Sequence, residues 1–169
     1  RRSRRGCILS PSNGWVMITV HLQEDNFDSG SIHNSVGLHR TDIGAKISFT
    51  GIVKDFFDTR PVNSLYIEHY PSMAEKQLKR ICQSALERWN ILEIHLVHRF
   101  GLLKPGDNIV NLVLASKGRD AAFSGGMFIM DYLKSDTPFW KKEYHSNGDR
   151  LVDQTSRDLK QMDAWDTLT

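Results

Sequence analysis

Apolar residues recur every three or four positions between Ser72 and Trp89, which is the spacing of one face of an amphipathic helix. Ser72 is followed three residues later by Glu75, the spacing of a capping box, and Pro71 precedes the pair. We therefore expect the helix to begin at Ser72. Its apolar face includes Cys82, which we expect to be a buried small hydrophobe rather than a nucleophile.

Segments rich in β-branched and aromatic residues predict strands on both sides of this helix. The chain is well patterned from Met17 onward, and four further strands are predicted at 44–53, 64–70, 93–101 and 108–117. The link 54–63 is long for a hairpin. By contrast, Pro105 and Gly106 suit the central positions of a type II turn between the last two of these strands.

A second, largely apolar helix is predicted over residues 119–134. Gly125 and Gly126 inside it should each cost about 1 kcal/mol relative to alanine, so we interpret them as a close packing contact. Asn147 and Gly148 then predict a hairpin between two short strands. Strands in antiparallel-looking pairs with two helices between them indicate an α+β fold with mixed or antiparallel sheets.

The charge distribution separates the first 16 residues from the remainder of the chain. The 169 residues are the length of one domain and include 22 basic and 20 acidic side chains. Residues 1–16 contain four arginines and no acid, and without them 18 basic residues face 20 acidic ones. We therefore predict a disordered arm or upstream extension at 1–16, with a basic interaction tail as the alternative. One domain at 17–155 and a polar tail at 156–169 would follow.

The composition also limits the chemistry and the partners. No apolar run is long enough to cross a membrane, and the body is not basic, so we expect it to bind neither membrane nor nucleic acid. Cys7 and Cys82 form no disulfide or zinc pattern, which fits a reducing cytoplasm. His95 and His98 are three apart on a predicted strand and face opposite sides, so we expect no metal site.

The segment "DYLKSDTPFWKKE", residues 131–143, combines three lysines with two large aromatic residues. Lys134 lies at the predicted end of the second helix, where a positive charge complements the helix dipole. Lys141 and Lys142 follow the Phe-Trp pair on a predicted strand. Neighbouring residues of a strand point to opposite faces, so only one of these two lysines can share a face with any given pocket.

Two interpretations of these cations remain open. Arg119 opens the helix that Lys134 closes, and Lys54 follows the strand at 44–53. One interpretation is an anion pocket, in which charge-assisted hydrogen bonds hold phosphate or carboxylate groups. The other is scattered surface charge, which contributes little to binding or stability. The spacing of the residues does not decide between the two.

Several long motifs occur in a defined order along the chain: "FTGIV", "LYIEHYPSMAEKQL", "VHRFGLLKPGD", "RDAAF", "FIMDYLK" and "PFWKKE". Together they closely resemble the family of the large, catalytic subunit of molybdopterin synthase, and the resemblance runs from Met17 to about Val152. It implies an α/β hammerhead-like fold with an additional antiparallel β-sheet.

The resemblance also implies an activity. The family transfers sulfur to cyclic pyranopterin monophosphate and so builds the dithiolene of molybdopterin. The sulfur arrives as a thiocarboxylate on the C-terminal Gly-Gly tail of a small ubiquitin-like subunit. Two large subunits form a central homodimer within a heterotetramer. Because Cys82 is predicted to be buried, a partner that delivers the sulfur fits the residues of this chain, and we expect no cofactor.

The resemblance assigns roles to particular residues. Lys134 and Lys141 match the catalytic lysines, the first for acid–base or leaving-group work and the second for an oxyanion or the tail carboxylate. Arg119 matches a substrate-binding arginine. We group Lys117, Gly118 and Lys54 with it as substrate-binding positions.

Two of these positions depart from the family pattern. Gly118 stands where the family usually has histidine, and Lys54 stands where it usually has arginine. Lysine keeps the charge but loses the bidentate geometry that arginine offers to phosphate. These departures support the alternative function, a non-catalytic binding protein that holds a ubiquitin-like partner on the same fold. A third hypothesis, nucleic-acid binding through residues 1–16, rests on the arginines alone.

Overall fold

The computed structural model describes residues 6–10, 14–57, 60–152 and 164–165. Within them the chain forms helices and strands in the following order: β1 (Gly6–Ser10), β2 (Gly14–Gln23), α1 (Ser29–Ser35), β3 (Ala45–Ile52), β4 (Phe56–Phe57), β5 (Arg60–Pro61), β6 (Ser64–His69), α2 (Pro71–Arg88), β7 (Ile91–Arg99), β8 (Gly101–Leu103), β9 (Asn108–Ser116), α3 (Arg119–Ser135), β10 (Phe139–Tyr144) and β11 (Arg150–Val152).

The strands form two main sheets and one small one. A five-stranded sheet has the order β1-β2-β7-β9-β3, in which β2 and β7 are parallel and the other neighbours are antiparallel. A four-stranded antiparallel sheet has the order β11-β10-β6-β8. The short strands β4 and β5 pair with each other inside the link between β3 and β6. The predicted α+β architecture with mixed and antiparallel sheets is therefore confirmed.

The main hydrophobic core lies between the five-stranded sheet and helices α2 and α3. Helix α2 buries the residues of its apolar face, which are Ala74, Leu78, Ile81, Cys82, Ala85 and Leu86. Helix α3 approaches the sheet closely at Gly125 and Gly126, because a β-carbon at either position would overlap the side chain of Ile91 or Ile47. The interpretation of these glycines as a close packing contact is confirmed.

The turn at residues 104–107 agrees with the prediction, whereas the start of α2 differs from it. Gly106 has a φ of +89° and the N–H of Asp107 bonds the carbonyl of Lys104 at 2.9 Å, as a type II turn requires. Helix α2 begins at Pro71, and no side chain caps it. The predicted capping box is therefore wrong, because proline occupies the first helical position, where its missing N–H costs no hydrogen bond.

The ordered body begins before Met17. Strand β2 starts at Gly14, and Val16 is only 3% exposed within the core. Residues Gly6–Ser10 form β1, an edge strand that pairs with β2. Residues 6–10 are thus part of the five-stranded sheet rather than a disordered arm, and the other interpretation of residues 1–16, an upstream extension, stays a prediction. Residues 1–5 and 11–13 lie outside the described part of the chain.

The predicted polar tail contains one residue that packs against the core. The ring of Trp165 makes edge contacts with the rings of Trp89 and Phe128, each at a centroid distance of 5.7 Å. The remainder of 156–169 lies outside the described residues, apart from Ala164. No helix in the described part of the chain is long and apolar enough to cross a membrane.

Candidate active site

Strand β10 places Lys141 on an inward face. Its pleat directs Phe139, Lys141 and Glu143 to one side of the four-stranded sheet. The ring of Phe139 stacks on His98 of β7 with a centroid distance of 4.1 Å and an interplanar angle of 11°. Burial of the imidazole, with the nearby charge of Lys141 as a second cause, lowers the pKa of His98 to about 3. Lys141 therefore lies on the side of the sheet that faces β7.

Lys142 points the other way, as the alternation predicts. Its Nζ forms an ion pair with Asp149 at 2.9 Å and lies 5.0 Å from the centre of the Tyr144 ring. The hydrogen bond with Asp149 raises the pKa of Lys142. These contacts lie within the β10–β11 hairpin. Lys142 thus stabilises its own hairpin and shares no face with Lys141.

Lys134 and Lys141 stand on either side of one short turn. Lys134 lies exposed in the last turn of α3, and none of the described residues forms an ion pair with it. Asp136 follows and accepts hydrogen bonds from Gln77 and from Arg80 of α2, the latter at 3.1 Å. Helix α2 therefore fixes the turn, and with it the direction in which the chain leaves α3 for β10.

Lys54 lies toward the same end of the molecule as the C-terminal turn of α3. It follows Val53, which packs with Ile67 and Leu103 in a second small core that Phe139 also contacts. The N–H of Val53 bonds the carbonyl of Asp107 at 2.9 Å, which ties this segment to the turn before β9. Because α3 runs back along β9 after a short connection, Lys134 in its last turn returns to this end of the sheet.

Lys117, Gly118 and Arg119 lie at the opposite end of α3. The helix from Arg119 to Lys134 spans about 22 Å at a rise of about 1.5 Å per residue. The side chain of Arg119 is 87% exposed and lies 3.6 Å from Asp120 in an ion pair. Within one protomer, Lys54, Lys134 and Lys141 therefore lie toward one end of the sheet, and the other three candidate residues lie toward the opposite end.

Gly118 has room for a larger side chain. It is the N-cap of α3 with extended backbone, at a φ of −154° and a ψ of 164°. A β-carbon built on it would meet nothing within 4 Å. Its carbonyl oxygen accepts a hydrogen bond of 2.7 Å from the Ser116 hydroxyl, a contact that any residue can keep. The backbone conformation at position 118 therefore does not require glycine.

Glu143 and His145 form a buried polar pair that the sequence interpretation missed. The Nε2 atom of His145 lies 3.1 Å from Oε2 of Glu143, and their side chains are 4% and 9% exposed. Glu143 is two residues after Lys141, so strand alternation could have placed it on the same face. No local pattern points to His145, because its second partner, the carbonyl of Pro61, is 84 residues away in sequence.

Cys82 supplies no sulfur chemistry. It is completely buried in the core, and burial raises the pKa of its thiol to about 12. The thiol therefore stays protonated at neutral pH and cannot act as a thiolate nucleophile. This agrees with the prediction that it is a small hydrophobe.

Comparisons with known proteins identify the family of the chain. Residues 22–136 match the family model described as MoaE protein. The molybdopterin synthase catalytic subunit of Rhizobium meliloti (strain 1021) is 45% identical over 131 residues, which cover 78% of this chain and 83% of that protein. The corresponding subunit of Ralstonia nicotianae is 42% identical over 153 residues, which cover 90% of this chain and 87% of its own length.

Solved structures show the same fold. The molybdopterin biosynthesis MoaE protein from Burkholderia ambifaria MC40-6 superimposes with a TM-score of 0.75 at 39% identity, covering 88% of this chain and 98% of that one. The molybdopterin synthase crystal structure from Staphylococcus aureus gives a TM-score of 0.72 at 25% identity, covering 79% and 96%. The expected hammerhead-like fold with an added antiparallel sheet is thus confirmed. The chain belongs to the MoaE protein family, whose named relatives are catalytic subunits of molybdopterin synthase, an enzyme of molybdenum cofactor biosynthesis.

Proposed function

We propose that the chain transfers sulfur from the C-terminal thiocarboxylate of a small ubiquitin-like subunit to cyclic pyranopterin monophosphate, with Lys134 and Lys141 as the catalytic residues. The observation that carries this proposal is the placement of the two lysines on either side of a turn fixed by α2. The buried Cys82 gives the reason for an external donor. The relatives are named as catalytic subunits, which also implies a second subunit.

The chemistry needs positive charge at two stages. The anionic sulfur of the thiocarboxylate attacks an oxygen-bearing carbon of the pterin substrate. A C–S bond forms as a C–O bond of that carbon breaks, the oxygen leaves as water or as a phosphate oxygen, and the sulfur stays attached to the partner as a thioester. Water then attacks the thioester carbonyl, the acyl–sulfur bond breaks, and the partner leaves as a carboxylate. Each dithiolene holds two sulfur atoms, so two thiocarboxylates are consumed for each product.

The two lysines divide this work by position. Lys141 lies on an inward strand face, where its ammonium can stabilise the oxyanion that forms when water attacks the thioester. Lys134 is exposed at the end of α3 and can move a proton to or from the reacting group. Lys54 adds a positive charge for the substrate phosphate at the same end of the sheet.

The positions of the remaining candidates support a homodimeric enzyme. Arg119, with Lys117 and Gly118, lies about 22 Å along α3 from Lys134, too far to bind one small molecule together with it. In a homodimer that brings the start of one α3 to the end of the other, one site would receive Lys134 from one protomer and Arg119 from the second.

Mixed dimers test this arrangement. A dimer of one Lys134→Ala protomer and one Arg119→Ala protomer should keep one intact site and about half of the parental activity, although each homodimeric variant is impaired. If each site is built from a single protomer, the mixed dimer should instead be as impaired as the homodimers.

In vitro conversion tests the function itself. The purified chain, mixed with a thiocarboxylated partner and cyclic pyranopterin monophosphate, should yield molybdopterin, whereas the same partner with an ordinary C-terminal carboxylate should yield none. Binding of the partner without any turnover would favour the alternative, a non-catalytic binding protein, for which Gly118 and Lys54 are the supporting departures. We place this reaction in the cytoplasm, where a reducing environment preserves the thiocarboxylate.

A further inference from the structure

His145 has a hydrogen-bond acceptor at each of its two ring nitrogens. Nδ1 lies 2.9 Å from the carbonyl oxygen of Pro61, and Nε2 lies 3.1 Å from Oε2 of Glu143. The His145 side chain is only 4% exposed. A carbonyl and a carboxylate accept hydrogen bonds and donate none, so both ring nitrogens must carry a proton for both bonds to form. The imidazole ring is therefore held between two acceptor groups.

The two bonds join separate parts of the candidate site. Pro61 belongs to β5, in the link between β3 and β6 that begins at Lys54. The N–H of Val62 bonds the carbonyl of Asp55 at 2.8 Å, so the two ends of this link are held together. Glu143 lies on β10, on the same face as Lys141. His145 is therefore a bridge between the segment that carries Lys54 and the strand that carries Lys141.

We propose that His145 is a positioning residue that holds Lys54 in register with Lys141, so that loss of its imidazole weakens binding of the anionic pterin substrate. The inference rests on the proposed function for the identity of the substrate. His145 itself touches no reacting atom. The hydrogen bond with Pro61 crosses from the end of β10 to the link, and the hydrogen bond with Glu143 fixes the orientation of the ring.

Several charged groups surround this bridge. Glu143 and Lys141 come from β10, and Arg150 of β11 is the cross-strand partner of Glu143. From the link, Asp55 and Arg60 are both exposed, so solvent screens their charges. The carboxylate of Glu143 is the charge in hydrogen-bond contact with the ring.

Steady-state kinetics on the assembled enzyme test the proposal. His145→Ala should raise the KM for cyclic pyranopterin monophosphate about tenfold, the scale of one lost hydrogen bond, while kcat stays close to the parental value. His145→Gln, which keeps a donor for the carbonyl of Pro61, should show a smaller increase in KM.

A matched control uses His39, an exposed histidine with a positive φ of 66° between α1 and β3. Asparagine tolerates this backbone conformation, so His39→Asn should keep the parental KM. The proposal is overturned if His145→Ala keeps the parental KM, or if it lowers kcat without changing KM.

Amide hydrogen exchange provides a readout that needs no activity. The N–H of Asn63 bonds the carbonyl of Tyr144 at 2.8 Å, next to the bridge. After correction for the intrinsic exchange rate, the amides of Val62 and Asn63 should exchange faster in His145→Ala than in the parent. Faster exchange in a chain that shows no turnover would overturn the proposed function but keep the bridge. Unchanged exchange would overturn the bridge even in an active enzyme.

Discussion

The indole N–H of Trp165 donates a hydrogen bond of 2.8 Å to the carboxylate of Asp131, one helical turn before Lys134. The backbone carbonyl of Trp165 also accepts a hydrogen bond of 3.1 Å from Arg88 of α2. Its side chain and its main chain are therefore both held, one by α3 and the other by α2. The polar surroundings of Trp165 in sequence give no indication of this anchor.

Trp165 should contribute to stability as well as to local order. Trp165→Ala removes contacts with Trp89 and Phe128 and leaves Asp131 without its donor, so it should lower the free energy of unfolding by about 2 kcal/mol. Trp165→Phe keeps most of the apolar contact and should cost about 1 kcal/mol. Chemical denaturation of both variants measures the two values. Equal stability of the parent and the alanine variant would show that the anchor contributes nothing.

The three lysines of residues 131–143 should differ in their importance for sulfur transfer. Lys134→Ala and Lys141→Ala should each lower the turnover by about 10²-fold, the usual scale for a positioned acid–base or oxyanion group. Lys142→Ala should have a much smaller effect, because Lys142 is engaged with Asp149 on the other face of β10. Single-turnover assays with a thiocarboxylated partner give the order. A larger loss of turnover for Lys142→Ala than for the other two variants would show that the pocket lies on the Lys142 face of β10.

Much of the fold follows from patterns that are local in sequence. The alternation on β10, the type II turn at Pro105–Gly106 and the apolar face of α2 each depend on neighbouring residues, and the structure agrees with all three. Strand β1 was missed because its place in the sheet depends on pairing with β2, and residues 6–10 lack a long periodic pattern. The prediction of a capping box is wrong because Pro71 and Ser72 are both local signals for a helix start, and the helix begins at Pro71.

The candidate site shows the same division between local and distant information. The opposite orientations of Lys141 and Lys142 follow from the period of a strand. The separation of Arg119 from Lys134 also follows from sequence, since a helix of this length spans about 22 Å. Grouping both ends in one pocket therefore requires a second protomer. The partners of His145 and Trp165 lie far away in the chain, so no spacing rule could find them.

The buried imidazole of His98 should make the fold sensitive to acid. Its folded-state pKa is lowered from 6.5 to about 3, chiefly by burial, so the unfolded chain binds a proton at mildly acidic pH that the folded chain does not. The contribution of His98 to stability is therefore fully present above about pH 6.5. It is lost as pH falls toward 3, by at most about 1.4 kcal/mol per pH unit.

Denaturation at a series of pH values measures this effect. His98→Asn keeps a small polar side chain but has no proton to gain, so it should lower stability at pH 7 and reduce the slope of stability against pH between about 6.5 and 4. His39→Asn, at an exposed position, should keep the parental slope. A slope that is unchanged in His98→Asn would show that other groups cause the acid sensitivity.

Gly118→His should restore the residue that the family usually has beside Arg119. A β-carbon at this position meets nothing within 4 Å and the backbone is extended, so the substitution should change the free energy of unfolding by less than about 0.5 kcal/mol. If Gly118 belongs to a substrate site completed across a dimer, the added imidazole should lower the KM for the pterin phosphate while the partner's affinity stays the same. Gly118→Ala, which fills the position without a polar group, is the matched control and should keep the parental KM. An equal change in KM for both variants would attribute the effect to helix capping rather than to contact with the substrate. An unchanged KM in both variants would show that Gly118 does not belong to the substrate site.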